Sequence, residues 1–425
     1  MTEPVSDLAS ETEAEPFRRR VFYIPGYDPI HPRRYRELYR KEGAEQARIS
    51  GYGLDLRPRT GKGAYGWHVL GRIGEGPAEA EIEVLVWSDI VRGSMSNSIP
   101  ATYWQLLRTA WAYIASGALF RLMKLRKGPV IAALYPIVFL LIEMLLALVF
   151  GWVCLVVTQI LTSSLLSPLT GPVRALVLSA LLALAVGTAG VILALHWFKA
   201  RDGKVFAYYL MHDYAFSARF GGANPPELEA RMAQFGHAIR EALTSGVDEV
   251  LVVGHSSGAH LGVSILADLI RAGLPAGHPP LAFLSLGQVV PMVSFLPKAR
   301  RLRGDLAYLS ARPEITWVDV TAPGDGCAFA LCDPVAVSGA APPDQRWPLI
   351  LSAAFTQTLS PARWKELRWR FFRLHFQYLC AFDRPGDYDY FQITAGPLTL
   401  AERYRNRPPS KSRLTRAVNR FTDTE

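Results

Sequence analysis

Residues 254–258 read Gly-His-Ser-Ser-Gly, a serine with a glycine two places to either side. The apolar run "DEVLVVG" (248–254) precedes it, and "GAHLGVSILADLIRAG" follows with the apolar spacing of a helix. Small residues at Gly254 and Gly258 let a chain turn sharply from strand to helix, which holds the central hydroxyl clear of the sheet. Ser256 is then a candidate nucleophile, and the Ser257 N–H a donor aimed at the same reaction centre. The plain alternative is a tight turn whose glycines serve packing only. A serine hydroxyl is weak by itself and needs a base, which in turn needs an orienting acid. Of the histidines that follow, His260 lies one helical turn past the serine and reads as a surface or packing residue. His278 sits in the surface loop "AGLPAGHPPL". His375, in "FFRLHFQYL", is the third of them and a candidate base; its alternative is a core histidine among aromatics.

The elements around these residues alternate. "RRRVFYIPGYDP" (18–29) is a β-rich run that stops at Pro25-Gly26, and "HPRRYRELYRKEGAEQ" after it has helical charge pairing. "GWHVLGRI" and "AEIEVLVWSDIV" (80–91) predict a strand hairpin across 74–77. "PPELEARMAQFGHAIREALTSG" (225–246) predicts a helix with proline at its start and glycine at its end. Short apolar strands follow at 248–254, "LAFLSLG" (281–287) and "EITWVDV" (314–320). Short buried strands between amphipathic helices predict an α/β fold, a mostly parallel sheet with helices on both faces.

With that context the serine stretch resembles the α/β-hydrolase superfamily, in which "GHSSGA" is a familiar form of the nucleophile elbow. The resemblance covers 18–30, 80–91 and 225–333, and more weakly the segment around 375. It implies a second oxyanion donor from the loop after an earlier strand. "FYIPGYDP" fits, with Tyr27 N–H as the donor and Pro-Gly where the superfamily usually has His-Gly. Asp28 would steady that loop, or simply cap the next helix. The resemblance also implies the order serine, acid, histidine, in which only His375 lies late enough to be the base, with the acid just past the strand "EITWVDV". Asp325, in the loop "TAPGDGCAF", is the first choice, because a loop at a strand's carboxyl end can reach the imidazole. Asp319, inside the strand, is second and Asp333 third.

Between Lys127 and Arg174 the only charged residue is Glu143, and between Arg174 and Lys199 there is none. Two membrane crossings fit, 138–161 and 173–197, since roughly 20 apolar residues span a hydrocarbon core. The link "TSSLLSPLTGP" predicts a tight turn. Ala183, Gly187 and Gly190 offer a small-residue face for close helix packing. Ahead of the pair, 102–127 mixes aromatic, leucine and basic residues and reads as an interfacial helix or a domain helix leading to the bilayer. The domain is thus read in two halves, 18–101 and 205–402, around an insert at 102–204. Basic residues flank the insert on both sides and predict a cytoplasmic domain.

The formal charge of +9 is uneven. An acidic leader (1–17) reads as disordered and a basic tail (403–425) as flexible, set against anionic headgroups or simply solvated. Nucleic acid is not expected as a partner. Cys154, Cys327, Cys332 and Cys380 show no zinc spacing or disulfide framework, so a reducing compartment is expected. No phosphate loop, dinucleotide fingerprint or metal cluster stands out, so no cofactor or metal is expected, and nothing sets the oligomeric state. The resulting expectation is a membrane-anchored serine hydrolase acting on an ester, with a lipid bilayer as its setting. Acyl transfer through the same residues and an inactive hydrolase-fold scaffold are the alternatives.

Overall fold

A computed structural model describes residues 15–59, 63–74, 76–95 and 98–424. Its eight strands are β1 (Phe17–Ile24), β2 (Gly53–Pro58), β3 (Gly66–Ile73), β4 (Gly76–Val84), β5 (Glu249–His255), β6 (Leu281–Leu286), β7 (Ile315–Thr321) and β8 (Leu349–Ser352). They form one sheet in the order β2-β3-β4-β1-β5-β6-β7-β8. From β4 to β8 all neighbours run parallel, while β2, β3 and β4 form an antiparallel meander. Alternation along the strands divides the core in two. Val21, Tyr23, Leu251, Val253, Leu284 and Val318 join one apolar cluster, and Phe22, Ile24, Val250, Val252, Phe283 and Trp317 the other. Both faces are therefore covered, which explains why β5 and β6 are buried at every residue.

The expected α/β class with a mostly parallel sheet is what the chain adopts. Two strands escaped the sequence reading. "GLDLRP" and "LILS" are short, and lie at the sheet's two edges, where one neighbour is missing. Conversely, the predicted strand 80–91 ends at Val84, and Ser88–Ser94 is helical.

The insert follows that helix. Helices Ile99–Ala115 and Ala118–Leu125 replace the single element expected at 102–127, broken where Gly117 takes a left-handed φ of 74°. Then come Lys127–Thr170 and Pro172–Lys199, both long and apolar enough to cross a membrane. The tight turn expected of the whole link is confined to its end. Its hydroxyls bond back to carbonyls of the preceding helical turn (Thr162 to Thr158, Ser164 to Ile160, Thr170 to Leu166), so the helix continues to Thr170 and only Gly171 turns the chain.

Ala183, Gly187 and Gly190 do face the first helix. A Cβ on Gly187 would stand 2.9 Å from the Gly151 carbonyl oxygen. Gln159 Nε2 donates to Ser179 Oγ across the pair at 2.9 Å. The first turns of Lys127–Thr170 belong to the domain, with Val130, Pro136, Leu140 and Glu143 buried. The 28-residue second helix is about 42 Å long, enough for a hydrocarbon core of about 30 Å.

Helix Ala207–Ala218 returns the chain to the domain, and Pro226–Ala242 leads into β5. β4 and β5 both pair with β1, so the chain leaves and re-enters the same sheet. The basic tail is packed, not free. Ser410 N–H donates to the Ile350 carbonyl on edge strand β8, Leu414 exchanges hydrogen bonds with Leu331 and Asp333, and Asn419 is buried against Ser294 and Ser338. Leu414 and Val418 supply apolar contacts that the surrounding charges hide in a composition reading. Of the acidic leader, residues 1–14 lie outside the described residues, and Phe17 already belongs to β1.

Candidate active site

From 249 to 267 every residue is buried except Ser256, which is half-buried and open to one side. It sits between β5 and helix Ser257–Arg271 with φ 57° and ψ −120°, in a region that costs non-glycine residues about 1–3 kcal/mol. Its neighbours enforce this turn. A Cβ on Gly258 would lie 2.1 Å from the Ile24 carbonyl oxygen, and one on Gly254 would lie 2.7 Å from that of Gly258. The two glycines are therefore required for helix and strands to approach, and their place in the motif has a steric cause. Ser256 N–H donates to the Leu286 carbonyl at 2.9 Å, fixing the turn to the end of β6.

The candidate base, His375, arrives from 119 residues beyond Ser256. His375 Cε1 lies where a Cβ on Gly287, the residue after Leu286, would approach to 3.1 Å. Its ring lies 4.9 Å from that of His255, centroid to centroid. His255 Nε2 bonds the His375 carbonyl at 3.0 Å. A carbonyl only accepts, so His255 must carry its proton on Nε2. Burial pulls its pKa down to about 3, which keeps the ring neutral. The second residue of the motif, His255, thus holds the backbone of His375.

Asp325 is the partner of that base. Its Oδ2 lies 2.7 Å from His375 Nδ1 and accepts from Tyr378 Oη at 3.0 Å, while Oδ1 accepts Cys327 N–H at 2.8 Å. Burial alone would raise this carboxyl, but the His375 charge and these donors hold it below its ordinary value. With Nδ1–H given to Asp325, Nε2 of His375 is the free acceptor a serine hydroxyl needs. Asp319, by contrast, accepts from Ser285 Oγ at 2.5 Å inside the sheet, and burial pushes its pKa up to about 8. Asp333 caps helix Pro334–Val337. His260, a possible surface residue by sequence, is buried. His278 bonds the neighbouring Pro279 carbonyl in its loop.

The loop after β1 lies over the elbow, and a Cβ on Gly26 would touch Ser256 Cβ at 3.1 Å. Trp87 Nε1 donates to the Pro25 carbonyl at 3.0 Å and Tyr209 Oη to that of Tyr27 at 2.5 Å. Asp28 does steady the loop, accepting from Ile30 N–H and Tyr35 Oη and pairing with Arg34. Tyr27 and Ser257 are buried, and no acceptor among the described residues takes their N–H groups. Two unused donors beside a reachable hydroxyl are what an oxyanion requires.

Two further groups are invisible to motif reading. Asp213, on helix Ala207–Ala218, is half-buried, and desolvation pushes its carboxyl up to about 7 against the pull of the His375 charge. Beside it, Tyr214 lines an apolar cavity of about 110 Å³ with Tyr113, Leu122, Val130, Leu134 and Met292. Cys327 brings its sulfur, with donors of Asp325 and His375, into a group spanning 4.8 Å. Burial pushes that thiol well up, which disfavours the thiolate that metal binding needs, and His375 Nδ1 is committed to Asp325.

Asp213 gives a pH test. Its carboxyl ionises near pH 7. Asp213→Asn removes that ionisation, so a step in the pH profile of kcat/KM that follows it should disappear. A profile that the substitution leaves unchanged would place Asp213 outside the electrostatics of the site.

No protein family model, curated protein or solved structure matches this chain.

Proposed function

We propose that this chain is a membrane-anchored serine hydrolase of the α/β-hydrolase type that cleaves a carboxylic ester, and that its substrate is lipidic. One arrangement carries the reading: the half-buried serine of a strained turn is hydrogen-bonded to the end of β6, where the next residue, Gly287, lies against an imidazole already paired to a buried carboxylate. Ser256 Oγ attacks the ester carbonyl as His375 Nε2 takes its proton. The oxyanion is held by the N–H groups of Tyr27 and Ser257. Asp325 stabilises the imidazolium, which then protonates the leaving alkoxide. Water, activated by the same imidazole, releases the acid from Ser256. The apolar hairpin and the apolar cavity that Tyr214 lines favour a lipid over a soluble ester.

The test is turnover of a panel of acyl glycerolipids and short soluble esters by the purified full-length chain. At least one lipid ester should be hydrolysed, and none by Ser256→Ala. Equal hydrolysis by both proteins would refute the assignment.

The hairpin returns the chain to the side it left, and the flanking Arg121, Lys124, Arg126, Lys127, Lys199 and Arg201 favour the cytoplasm for that side. Ser167→Cys, near the tip, should react with a membrane-impermeant thiol reagent on intact cells. Ser245→Cys, exposed after helix Pro226–Ala242, should react only after permeabilisation. The opposite pattern would place the domain outside.

A further inference from the structure

The segment that delivers His375 has a composition the triad does not need. Between 363 and 373 it carries Arg363, Lys365, Arg368, Arg370 and Arg373 against one acid, Glu366. Among them Trp369 is 72% exposed, Phe371 44% and Phe372 38%. Arg363, Arg370 and Arg373 share Glu366, and Arg368 lies over the Trp369 ring, so the segment keeps a strong positive excess. Exposed aromatics in a cluster mark a contact surface. Trp369 and Phe371 meet at 6.4 Å, and Phe372 meets Phe206 at 6.2 Å.

The position of that cluster identifies what covers it. Phe206 follows the second apolar helix by seven residues, and it is itself 46% exposed. At the other end of the pair, a Cβ on Gly128 would stand 3.3 Å from the Gly326 carbonyl oxygen, and one on Gly326 would stand 3.1 Å from Phe371 Cδ1. Phe371, Gly326 and Gly128 therefore lie in a row, from the aromatic cluster through the neighbour of Asp325 to the start of the first long helix. The patch is continuous with the base of the hairpin. Aromatic rings among arginines and lysines at that level are what a headgroup layer selects, the rings reaching the acyl boundary and the cations meeting anionic lipid.

We infer that residues 363–373 seat in the bilayer's headgroup layer beside the hairpin, so that the Ser256 cleft opens at the lipid surface. The inference rests on the hairpin spanning a membrane and, for the cleft, on the hydrolase reading above. It commits to lipid over a protein partner because the surface adjoins the hairpin's own ends. Substrate would then reach Ser256 from the membrane side, and seating the segment would position His375 at its end.

The experiment is depth measurement on the full-length chain in vesicles of phosphatidylcholine and phosphatidylglycerol. Nitroxides are placed on Trp369→Cys and Phe372→Cys, and on Ser245→Cys just before the amino end of β5, with the parent chain as the background for native cysteines. The labels at 369 and 372 should lose most of their collisions with an aqueous nickel chelate relative to 245, and gain collisions with oxygen. Nickel access at 369 and 372 equal to that at 245 would overturn the proposal, and would leave a soluble partner to cover the patch. The hydrolase reading fails separately. Shielded labels on a protein that turns over no ester keep the membrane seat and remove the enzyme. Water-exposed labels on an active protein do the reverse.

Discussion

Asp325→Asn should lower kcat by about 10⁴-fold while leaving the fold in place. Asparagine fills the same volume and can still accept Cys327 N–H through its carbonyl oxygen. It cannot offer His375 a carboxylate. An amide facing Nδ1 either turns the imidazole to the wrong tautomer or leaves its proton with a weaker acceptor, and the imidazolium formed during attack loses its counter-charge. Tyr378 Oη, which also donates to Asp325 Oδ2, would keep its place and preserve the loop. Asp319→Asn is the control. That carboxyl is held by Ser285 within the sheet, with burial raising its pKa to about 8, so at neutral pH it carries a proton and gives the base no charge. Steady-state kinetics of the two variants decides the acid. An active Asp325→Asn beside an inactive Asp319→Asn would reverse the assignment.

Ser256→Ala should be the more severe change, about 10⁶-fold in kcat, because it removes the atom proposed to form the acyl bond. The stability cost should be small. The serine hydroxyl is on the open side of the turn, and alanine inherits the same φ of 57°, so the strain is unchanged. His375→Ala should come close to this loss, since members of such a unit fail together. Gly258→Ala would be inactive for a different reason. Its methyl group would collide with the Ile24 carbonyl, so that variant should also unfold at lower temperature. Thermal unfolding beside kinetics separates the two causes.

The turn at Ser256 and its glycines were legible in the sequence because they are local: one sharp turn, read within five residues. Asp325 was legible for a related reason, since a loop aspartate after an apolar strand can reach across the sheet's carboxyl edge and Asp319, within the strand, cannot. His375 required order along the chain. What held it did not show at all. His255 reaches its carbonyl across 120 residues and Tyr378 reaches Asp325 across 53, and such pairs follow from the sheet's register, not from spacing. Asp213 was hidden because it comes from the far side of the insert.

The fold was legible where strands are buried on both faces. It was not at the edges, where β2 mixes polar with apolar residues and β8 is only four residues long. Prolines and hydroxyls between the apolar helices looked like a turn, yet back-bonding to carbonyls let the helix run on to Thr170. The basic tail looked solvated because two apolar residues and one buried asparagine fix its course.

The central claim is that Ser256 is an activated nucleophile, and a fluorophosphonate tests it without knowledge of the substrate. The reagent's phosphorus should bond to Ser256 Oγ with loss of fluoride, giving one adduct on the intact full-length chain that peptide mapping places at Ser256. Labelling should fall sharply in His375→Ala and vanish in Ser256→Ala. A well-folded parent chain left unlabelled, or an adduct that persists in Ser256→Ala, would contradict the account.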